Sequence, residues 1–410
     1  MIPLAYNLRN LTVRLSTTIA SAGGLALVVF VFASVMMLSN GIEKTLGRSA
    51  RSDVAIVMRK GADAELSSGV EETQVGLVLA GREVKKQPNG QPDGVGEVAL
   101  VILLDKLGTD GVSNVQIRGV PDNVMTFRPD VRIVDGRPAQ PGTDEVIVGK
   151  AIRGRFKGLD LGQSFDLRKN RPVKVVGIFA DGGSSFESEI WGDLHTIRTS
   201  VGREGSVSSV RVRLEDATRF DAFKLAIEQD PQLGLQVMRE SEYYEKQGSG
   251  TSTFITVMGV MIGVFFSIGA MIGAMITMHA SIANRQREIG TLRALGFSRL
   301  SILTSFLIES VALALVGGAI GALASLLMSF VRFSTMNFAS FSEIVFTFEP
   351  TPGILIRAMA LAAVMGLLGG LFPAIRAARM NPTLAMRGRG LPARDGSAHR
   401  SPSDHGKGPP

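Results

Sequence analysis

Residues 279–299 read HASIANRQREIGTLRALGFSR and separate two long apolar stretches of the sequence. Each of the four arginines in this segment falls within about 15 residues of an apolar stretch, where positive charge fixes the topology of a membrane protein. These arginines are Arg285, Arg287, Arg293 and Arg299. The segment is therefore predicted to lie on the cytoplasmic side of a membrane.

The same segment carries the pattern of a short amphipathic helix. Residues 281–295 contain no Pro and only one Gly, and their apolar residues recur at intervals of three, four and seven, which predicts an apolar stripe flanked by charge. The stripe consists of Ile282, Ile289, Leu292 and Leu295. Gly296 supplies the left-handed residue that commonly ends such a helix. A helix of this kind is either a solvated connector or a docking element.

The residues of this helix resemble a motif of the FtsX-like, MacB-type ABC transporter permeases. The pattern is Arg-x-Arg-Glu-Ile-Gly-x-x-Arg-Ala-x-Gly, and it lies between the second and third apolar stretches. In that family the segment docks in a cleft of a cytoplasmic ATPase and passes on its nucleotide-driven closure. The resemblance therefore implies ATPase-coupling roles for Arg285, Arg287, Glu288, Ile289, Gly290, Arg293 and Gly296.

Composition places part of the chain in lipid. The chain has 410 residues, a hydrophobic fraction of 45% and a net charge of +7. Because aromatic residues make up only 6% and the basic residues are dispersed or lie beside apolar runs, membrane topology and lipid headgroups explain the charge better than nucleic acid does. The chain has no Cys, which excludes disulfides, thiolate metal sites and thiol catalysis.

Four apolar stretches are long enough to cross a bilayer as helices. The predicted fold is an α-helical membrane protein with transmembrane helices at residues 17–39, 254–278, 302–330 and 352–375. The first is too long for the apolar core of a signal peptide, about 7 to 15 residues, and no clear cleavage site follows it. Residues 279–301 form the cytoplasmic coupling segment and residues 331–351 a short outer loop.

Both ends of the chain are predicted to be cytoplasmic, in the inner membrane of a bacterium. Residues 1–16 carry leucines at helical spacing with two arginines between them, typical of an amphipathic helix on the inner leaflet. Residues 376–410 begin with arginines, which favour the cytoplasmic side. From about residue 388 this tail has nothing to bury and is expected to be disordered.

Residues 40–250 predict a large α+β extracytoplasmic domain between the first and second spans. Short Val/Ile-rich runs are cut there by Gly, Pro and Asp, and one βαβ-like passage is expected within residues 208–238. Strands are predicted at residues 53–58, 98–104, 114–119, 145–148, 173–179 and 208–214, with a helix at 217–229. The runs at residues 135–149 and 175–191 resemble the MacB-type periplasmic domain, which implies a porter-like part and an inserted β-rich part.

One cluster of titratable residues in this domain suggests chemistry. Glu187, Glu189, Asp193 and His195 fall within nine positions, and such groups can bind zinc or act as acid and base. Only one His is near, and no helical H-E-x-x-H motif accompanies it. We expect solvated strand ends around a buried Trp191 instead, and predict no catalytic, cofactor or metal site.

The apolar stretches contain glycines spaced for close helix packing. The predicted packing positions are Gly259, Gly263, Gly269, Gly273, Gly317 and Gly321. Glu309 is the one charge in the third stretch; an ionisable group there is a functional candidate, but a structural role paired with a neighbouring Ser, Thr or Arg is favoured.

The function follows from the architecture together with the family resemblance. The sequence contains no G-x-x-x-x-G-K-[ST] motif, so ATP hydrolysis is expected from a separate subunit. Nor does it show the broken helices or repeats of a secondary carrier. The resemblance implies a permease, as homodimer or heterodimer, that transmits ATPase movement to its outer domain for efflux with an adaptor and outer-membrane channel. Lipoprotein extraction and activation of cell-wall hydrolases stay open, and a membrane-anchored sensor or periplasmic hydrolase would need only one or two spans.

Overall fold

The computed structural model describes residues 15–380, and their side chains from residue 19 onward. The amphipathic helix predicted at residues 1–16, except for its last two residues, and the tail beyond residue 380 lie outside this range. The described chain forms two compact units. The helical unit contains the residues up to Ala26, Ser267–Gly318 and the residues from Ala360 on, and the domain unit contains Leu27–Phe266 and Ala319–Met359.

Residues 15–380 contain nine α-helices. They are α1 (Leu15–Arg48), α2 (Glu72–Leu79), α3 (Val124–Phe127), α4 (Leu194–Ser200), α5 (Phe220–Glu228), α6 (Glu240–Asn284), α7 (Gln286–Ala294), α8 (Arg299–Leu326) and α9 (Pro352–Ala378). Four of these, α1, α6, α8 and α9, are long and apolar enough to cross a membrane. The number and order of the predicted spans are thus present in the structure.

Two of these helices extend well beyond the predicted spans. The first continues from residue 39 to Arg48, and α6 begins at Glu240 rather than at residue 254, so residues 240–250 form the start of this long helix. Apolar length detects only the part of a helix that suits lipid. The polar extension of α6 is helical because Glu240 and Glu242 occupy its first turn, where negative charge stabilises the helix dipole, and because Tyr243 and Tyr244 are buried.

Among the described residues, the domain unit contains all fourteen strands and four complete helices, α2 to α5. The strands are β1 (Val54–Arg59), β2 (Val70–Glu71), β3 (Gly94–Asp105), β4 (Val112–Val120), β5 (Arg132–Gly136), β6 (Glu145–Gly149), β7 (Ser164–Arg168), β8 (Arg171–Ala180), β9 (Glu189–Asp193), β10 (Ser206–Val207), β11 (Ser209–Arg213), β12 (Leu235–Arg239), β13 (Arg332–Met336) and β14 (Glu343–Thr347). All six predicted strands are present. The prediction missed the others, most of which have five or fewer residues.

Ten of the strands form one mixed sheet with the order β12-β1-β11-β3-β4-β9-β6-β8-β5, and β7 pairs with β8. The sheet has two halves that share strand β3. Its residues Gly94–Glu97 pair with β11 in one half, and Val98–Asp105 pair with β4 in the other. The passage β11-α5-β12 places two strands on opposite sides of β1, each antiparallel to it. The predicted βαβ-like passage and the α+β class are confirmed, with β1 inserted between the two parallel strands.

Residues 331–351, predicted as a short outer loop, contain an antiparallel hairpin of β13 and β14. A short apolar run explains it, since Ile344, Val345 and Phe346 in β14 are all buried. After the hairpin, the side chain of Asn40 donates to Glu349 O over 2.9 Å. A Cβ on Gly41 would lie 2.0 Å from Thr347 O, so only glycine allows this close approach of α1.

The glycines predicted to pack helices divide into two groups. A Cβ would lie 2.0 Å from Val35 Cγ1 at Gly259 and 3.3 Å from Phe32 Cδ2 at Gly263. At Gly317 it would lie 2.6 Å from Ala22 O, and Gly321 is buried. In contrast, Gly269 and Gly273 have no atom within 4 Å of such a Cβ among the described residues. Their side of α6 is open, so helix packing at that pair stays a prediction.

Candidate functional site

The helix predicted across residues 281–295 is interrupted at Arg285. Helix α6 ends at Asn284, Arg285 leaves the helical conformation with φ −112° and ψ 17°, and α7 runs from Gln286 to Ala294. Residues 281–284 therefore belong to the membrane-spanning helix, which corrects the prediction of one continuous helix. Periodicity missed the break because residues with helical spacing continue on both sides of it.

Gly296 ends α7 in the way the sequence predicts. It has φ +94°, in the left-handed region that favours glycine. Gly296 N–H donates to Arg293 O and Phe297 N–H to Leu292 O, both over 3.2 Å, which is the Schellman arrangement. The side chain of Arg293 also donates to Phe297 O over 3.0 Å. Arg293 thus stabilises the end of the helix.

An apolar anchor holds α7 within the helical unit. Ile289 is 2% exposed and packs in a cluster with Ile282, Phe306 and the α9 residues Ala374 and Ala377. Gly290 beside it is also buried. Leu295, which also belongs to the predicted apolar stripe, is exposed instead.

Arg285 points inward rather than outward. Its Nη1 donates to Glu309 Oε2 and its Nε to Glu288 Oε2, each over 3.1 Å, and its guanidinium lies 5.4 Å from the ring centre of Phe306. The side chains of Arg285 and Glu309 are each 11% exposed. This ion pair gives Glu309 a structural role, because a partner lowers the cost of a charge at membrane depth.

The other side of α7 is exposed. It presents Arg287, Glu288, Thr291, Ala294 and Leu295. Leu295 is 73% exposed, and the side chain of Glu288 is 54% exposed. A charged surface with an apolar residue at one end is suited to bind a protein partner.

The carboxylates predicted as solvated strand ends are buried instead. Glu187 and Glu189 are 3% and 5% exposed, and the side chain of Glu187 accepts the backbone N–H groups of Asp181 and Gly183. Asp193 caps α4 by accepting from Thr196 N–H over 2.8 Å. No group of three metal-ligating side chains occurs within the part of the chain that the structure describes.

Glu189 belongs to a set of buried charges that the sequence analysis missed. This charge cluster consists of Glu65, Glu97, Arg118, Arg128, Glu189, Arg211 and Glu240, each no more than 5% exposed. No local pattern in the sequence marks Glu97, Arg118 and Arg211 as partners, because they lie on the three neighbouring strands β3, β4 and β11 that only the fold brings together. A charged residue within each of three Val/Ile-rich strands is the signal that could have indicated a buried network.

Arg118 and Arg211 connect the cluster across the sheet. Arg118 binds both carboxylate oxygens of Glu189, over 2.7 and 2.8 Å, and it also donates to Glu65 and Glu97. Arg211 donates to Glu65 over 2.8 Å and to Glu97 over 2.6 Å. Burial opposes ionisation, but these guanidinium groups hold the pKa of Glu65 well below its usual range, and with Arg128 they also lower the pKa of Glu97.

Aromatic rings enclose the cluster. Trp191 is fully buried, as predicted, and its Nε1 donates to Glu189 Oε2 over 2.9 Å. Its ring centre lies 4.7 Å from that of Phe179 and 5.6 Å from that of Phe186. The guanidinium of Arg128 lies 4.3 Å from the centre of the Phe186 ring. Apolar ring surface thus packs directly against the ion pairs.

Two protein-family models match this chain. One is described as FtsX-like permease C-terminal and matches residues 260–382, and the other is described as MacB-like periplasmic core domain and matches residues 17–230. The second covers about half of the chain, so the two together account for its membrane helices and its sheet domain.

Curated relatives are similar over more than half of this chain. The Macrolide export ATP-binding/permease protein MacB 1 of Aeromonas hydrophila is 30% identical over 256 residues, covering 59% of this chain and 38% of the relative. The uncharacterized ABC transporter permease YknZ of Bacillus subtilis is 30% identical over 229 residues, covering 53% and 54%. The chain thus spans between about a third and about a half of the length of these relatives.

Solved structures resemble the chain only distantly. The periplasmic region of MacB from Actinobacillus actinomycetemcomitans aligns with a TM-score of 0.36 and 10% identity, over 48% of this chain and 94% of that one. The extracellular domain of YknZ from Gram-positive bacteria aligns with a TM-score of 0.33 and 18% identity, over 45% and 99%.

Proposed function

Because this chain belongs to the FtsX-like ABC transporter permeases with a MacB-like periplasmic core domain, we propose that α7 is its docking element for a cytoplasmic ATPase. The observation that carries the proposal is the two-sided environment of α7. Ile289 and Arg285 hold one side in place, while Arg287, Glu288 and Leu295 are exposed on the other. A helix held in this way can be displaced by a bound partner without unfolding.

The proposed mechanism is mechanotransmission. ATP binding and hydrolysis take place in a separate subunit, whose closure displaces α7 and with it the membrane helices, and the periplasmic domain then moves as a rigid body. This requires α7 on the cytoplasmic face and the domain on the outer face of a bacterial inner membrane, with both chain ends inside. The arginines around α7 support that orientation.

Two copies of the permease, or one copy with a homologue, are proposed to serve one ATPase dimer. Helix α6 supports this, because only 17% of its apolar window is buried, against 33% to 39% in the other three long helices. Gly269 and Gly273 lie four residues apart on its open side, a spacing that allows close helix pairing.

Efflux with a periplasmic adaptor and an outer-membrane channel is the transport process we propose. The curated relatives named for macrolide export support it. Co-purification of this chain with an adaptor protein is the expected result, whereas capture of a lipoprotein chaperone would favour lipoprotein extraction instead.

The docking role is tested by Arg287→Glu and Leu295→Asp, two changes on the exposed side of α7. Each is expected to reduce permease-stimulated ATP hydrolysis by the co-purified ATPase by about tenfold or more, as loss of a central interface residue does. These positions are better suited than Glu288 or Arg293, whose side chains also make bonds within the chain. Arg332→Glu, a charge reversal on the outer hairpin, is the matched control. Unchanged stimulation in both α7 variants would reject the proposal.

Subunit pairing can be tested by cross-linking because the chain has no Cys. Gly269→Cys is expected to form a disulfide-linked dimer under a mild oxidant in membranes. Gly353→Cys, whose Cβ position at the start of α9 is also open, is expected to stay monomeric. Equal cross-linking of both variants would contradict pairing through α6.

A further inference from the structure

We propose that Glu240 is the joint through which α6 moves the sheet domain, an inference that rests on the proposed function and names its transmitting residue. Glu240 is the first residue of α6 and is fully buried. Its Oε1 accepts from Arg128 Nη2 and from Arg211 Nε, each over 3.0 Å. Its Oε2 accepts from the backbone N–H of Arg51 over 3.1 Å.

These three donors connect separate parts of the molecule. Arg211 lies on β11 in the middle of the large sheet, and Arg128 directly follows α3. Arg51 lies three residues beyond the end of α1. The two membrane helices that enter and leave the domain therefore meet at one carboxylate, and that carboxylate is bonded to the sheet.

The next residues of α6 extend the joint. The backbone N–H of Glu65 donates to Tyr243 Oη over 3.2 Å, and Arg211 Nη2 donates to Tyr244 Oη over 3.4 Å. Both tyrosines are buried. Glu242 on the same turn is exposed, with its side chain paired to Lys246. One side of the turn is thus bonded to the charge cluster and the other faces solvent.

Directional bonds suit a joint that must transmit movement. An apolar contact can slide by small repacking steps, whereas a buried carboxylate held by two guanidinium groups and a backbone N–H has one favourable position. Separating it would leave charges buried without their partners, which is strongly unfavourable. Arg211 passes any displacement on to Glu65 and Glu97, and Arg118 passes it across the sheet to Glu189. The start of α6 and the sheet therefore move together.

The rigidity of the joint can be measured on the full chain without an ATPase. Spin labels at Ser249→Cys and Ala222→Cys, two exposed positions on α6 and α5, report the distance between the helix and the domain by electron–electron resonance in nanodiscs. The wild-type background is expected to give one narrow distribution and Glu240→Ala a second, broad one. Glu242→Ala, on the same turn, is the control and should match the wild type. A narrow distribution in Glu240→Ala would overturn the inference.

A second measurement separates transmission from folding. In proteoliposomes with the co-purified ATPase, one spin label on the domain of each permease copy, at Ala222→Cys, reports the distance between the two domains. Glu240→Ala is expected to retain stimulated ATP hydrolysis, because α7 is unaltered, and to show a nucleotide-dependent change in this distance that is smaller than that of the wild type by about tenfold or more. Glu240→Gln keeps the size and one acceptor oxygen, and it tests the inference with a smaller loss in the same direction if the alanine variant does not fold. A full distance change in a folded variant would overturn the joint. Absence of stimulated hydrolysis in the wild type would instead reject the proposed ATPase coupling. The nanodisc measurement would still test whether Glu240 fixes α6 to the sheet, because it needs no ATPase.

Discussion

Replacing Arg118 with methionine should severely weaken the sheet domain. Arg118 makes five hydrogen bonds to the carboxylates of Glu65, Glu97 and Glu189, and it is 1% exposed. Methionine fills much of the same volume but leaves the three carboxylates with fewer cations, and the net charge of the cluster changes from minus one to minus two. Removing one partner of a buried ion pair costs about 3 to 5 kcal/mol. That is a large part of the roughly 5 to 15 kcal/mol that stabilises a typical domain.

The chain provides its own probe for this measurement. Trp191 is the one tryptophan in the sequence, and its Nε1 donates to Glu189, which Arg118 also binds. Urea unfolding of the full chain in detergent, followed by tryptophan fluorescence, should show a lower midpoint in Arg118→Met at an unchanged slope. Arg137→Met removes an exposed ion pair with Glu145 and should leave the midpoint unchanged. A loss in Arg118→Met of less than about 1 kcal/mol, the average for any substitution, would refute the assigned role of the cluster.

Three further predictions concern the titration and pairing of buried charges. Because the pKa values of Glu65 and Glu97 are lowered in the folded state, their contribution to stability should be complete above the unfolded pKa of about 4.5 and be lost as pH falls below it; a urea midpoint that rises on acidification would contradict this. Glu343→Gln should destabilise the β13–β14 hairpin by about 1.5 to 3 kcal/mol, as loss of hydrogen bonds to a charged group does. Lys106 and Arg155 donate to this carboxylate, and with other donors they outweigh burial and lower the pKa of Glu343 to about 2; limited proteolysis within the hairpin should become faster. A double-mutant cycle with Arg285→Met and Glu309→Gln should give a coupling free energy of about 1 to 3 kcal/mol in thermal unfolding, and additive effects would exclude their ion pair.

Features governed by local composition could be predicted from the sequence. Long uncharged apolar stretches predicted the four long helices, and Gly296 predicted the end of α7. Short runs rich in Val and Ile predicted six of the strands, and the Arg-x-Arg-Glu-Ile-Gly motif predicted the family.

Features that depend on contacts between residues distant in sequence could not be predicted from it. Leu295 matches the apolar stripe by spacing, yet it is exposed at the end of α7, whereas Ile289 on the same helix is buried by residues of α8 and α9. The contact between Glu97 and Arg211 joins strands more than a hundred residues apart, so spacing along the chain could not predict it. The polar start of α6 was assigned to the domain because its tyrosines are buried only by tertiary packing.

The shared strand β3 has a consequence for the order in which the domain can be built during synthesis. The half of the sheet beyond β3 uses only residues between 94 and 193, whereas the other half needs β1 from the start of the domain and β11 and β12 from its end. Since chains fold from the N-terminus as they emerge, Val54–Arg59 must wait, apolar and without its neighbours on either side, until the last strands have been synthesised. During that interval β1 is an open edge of the type that recruits foreign strands. The arrival of β12, directly followed by α6, closes the sheet.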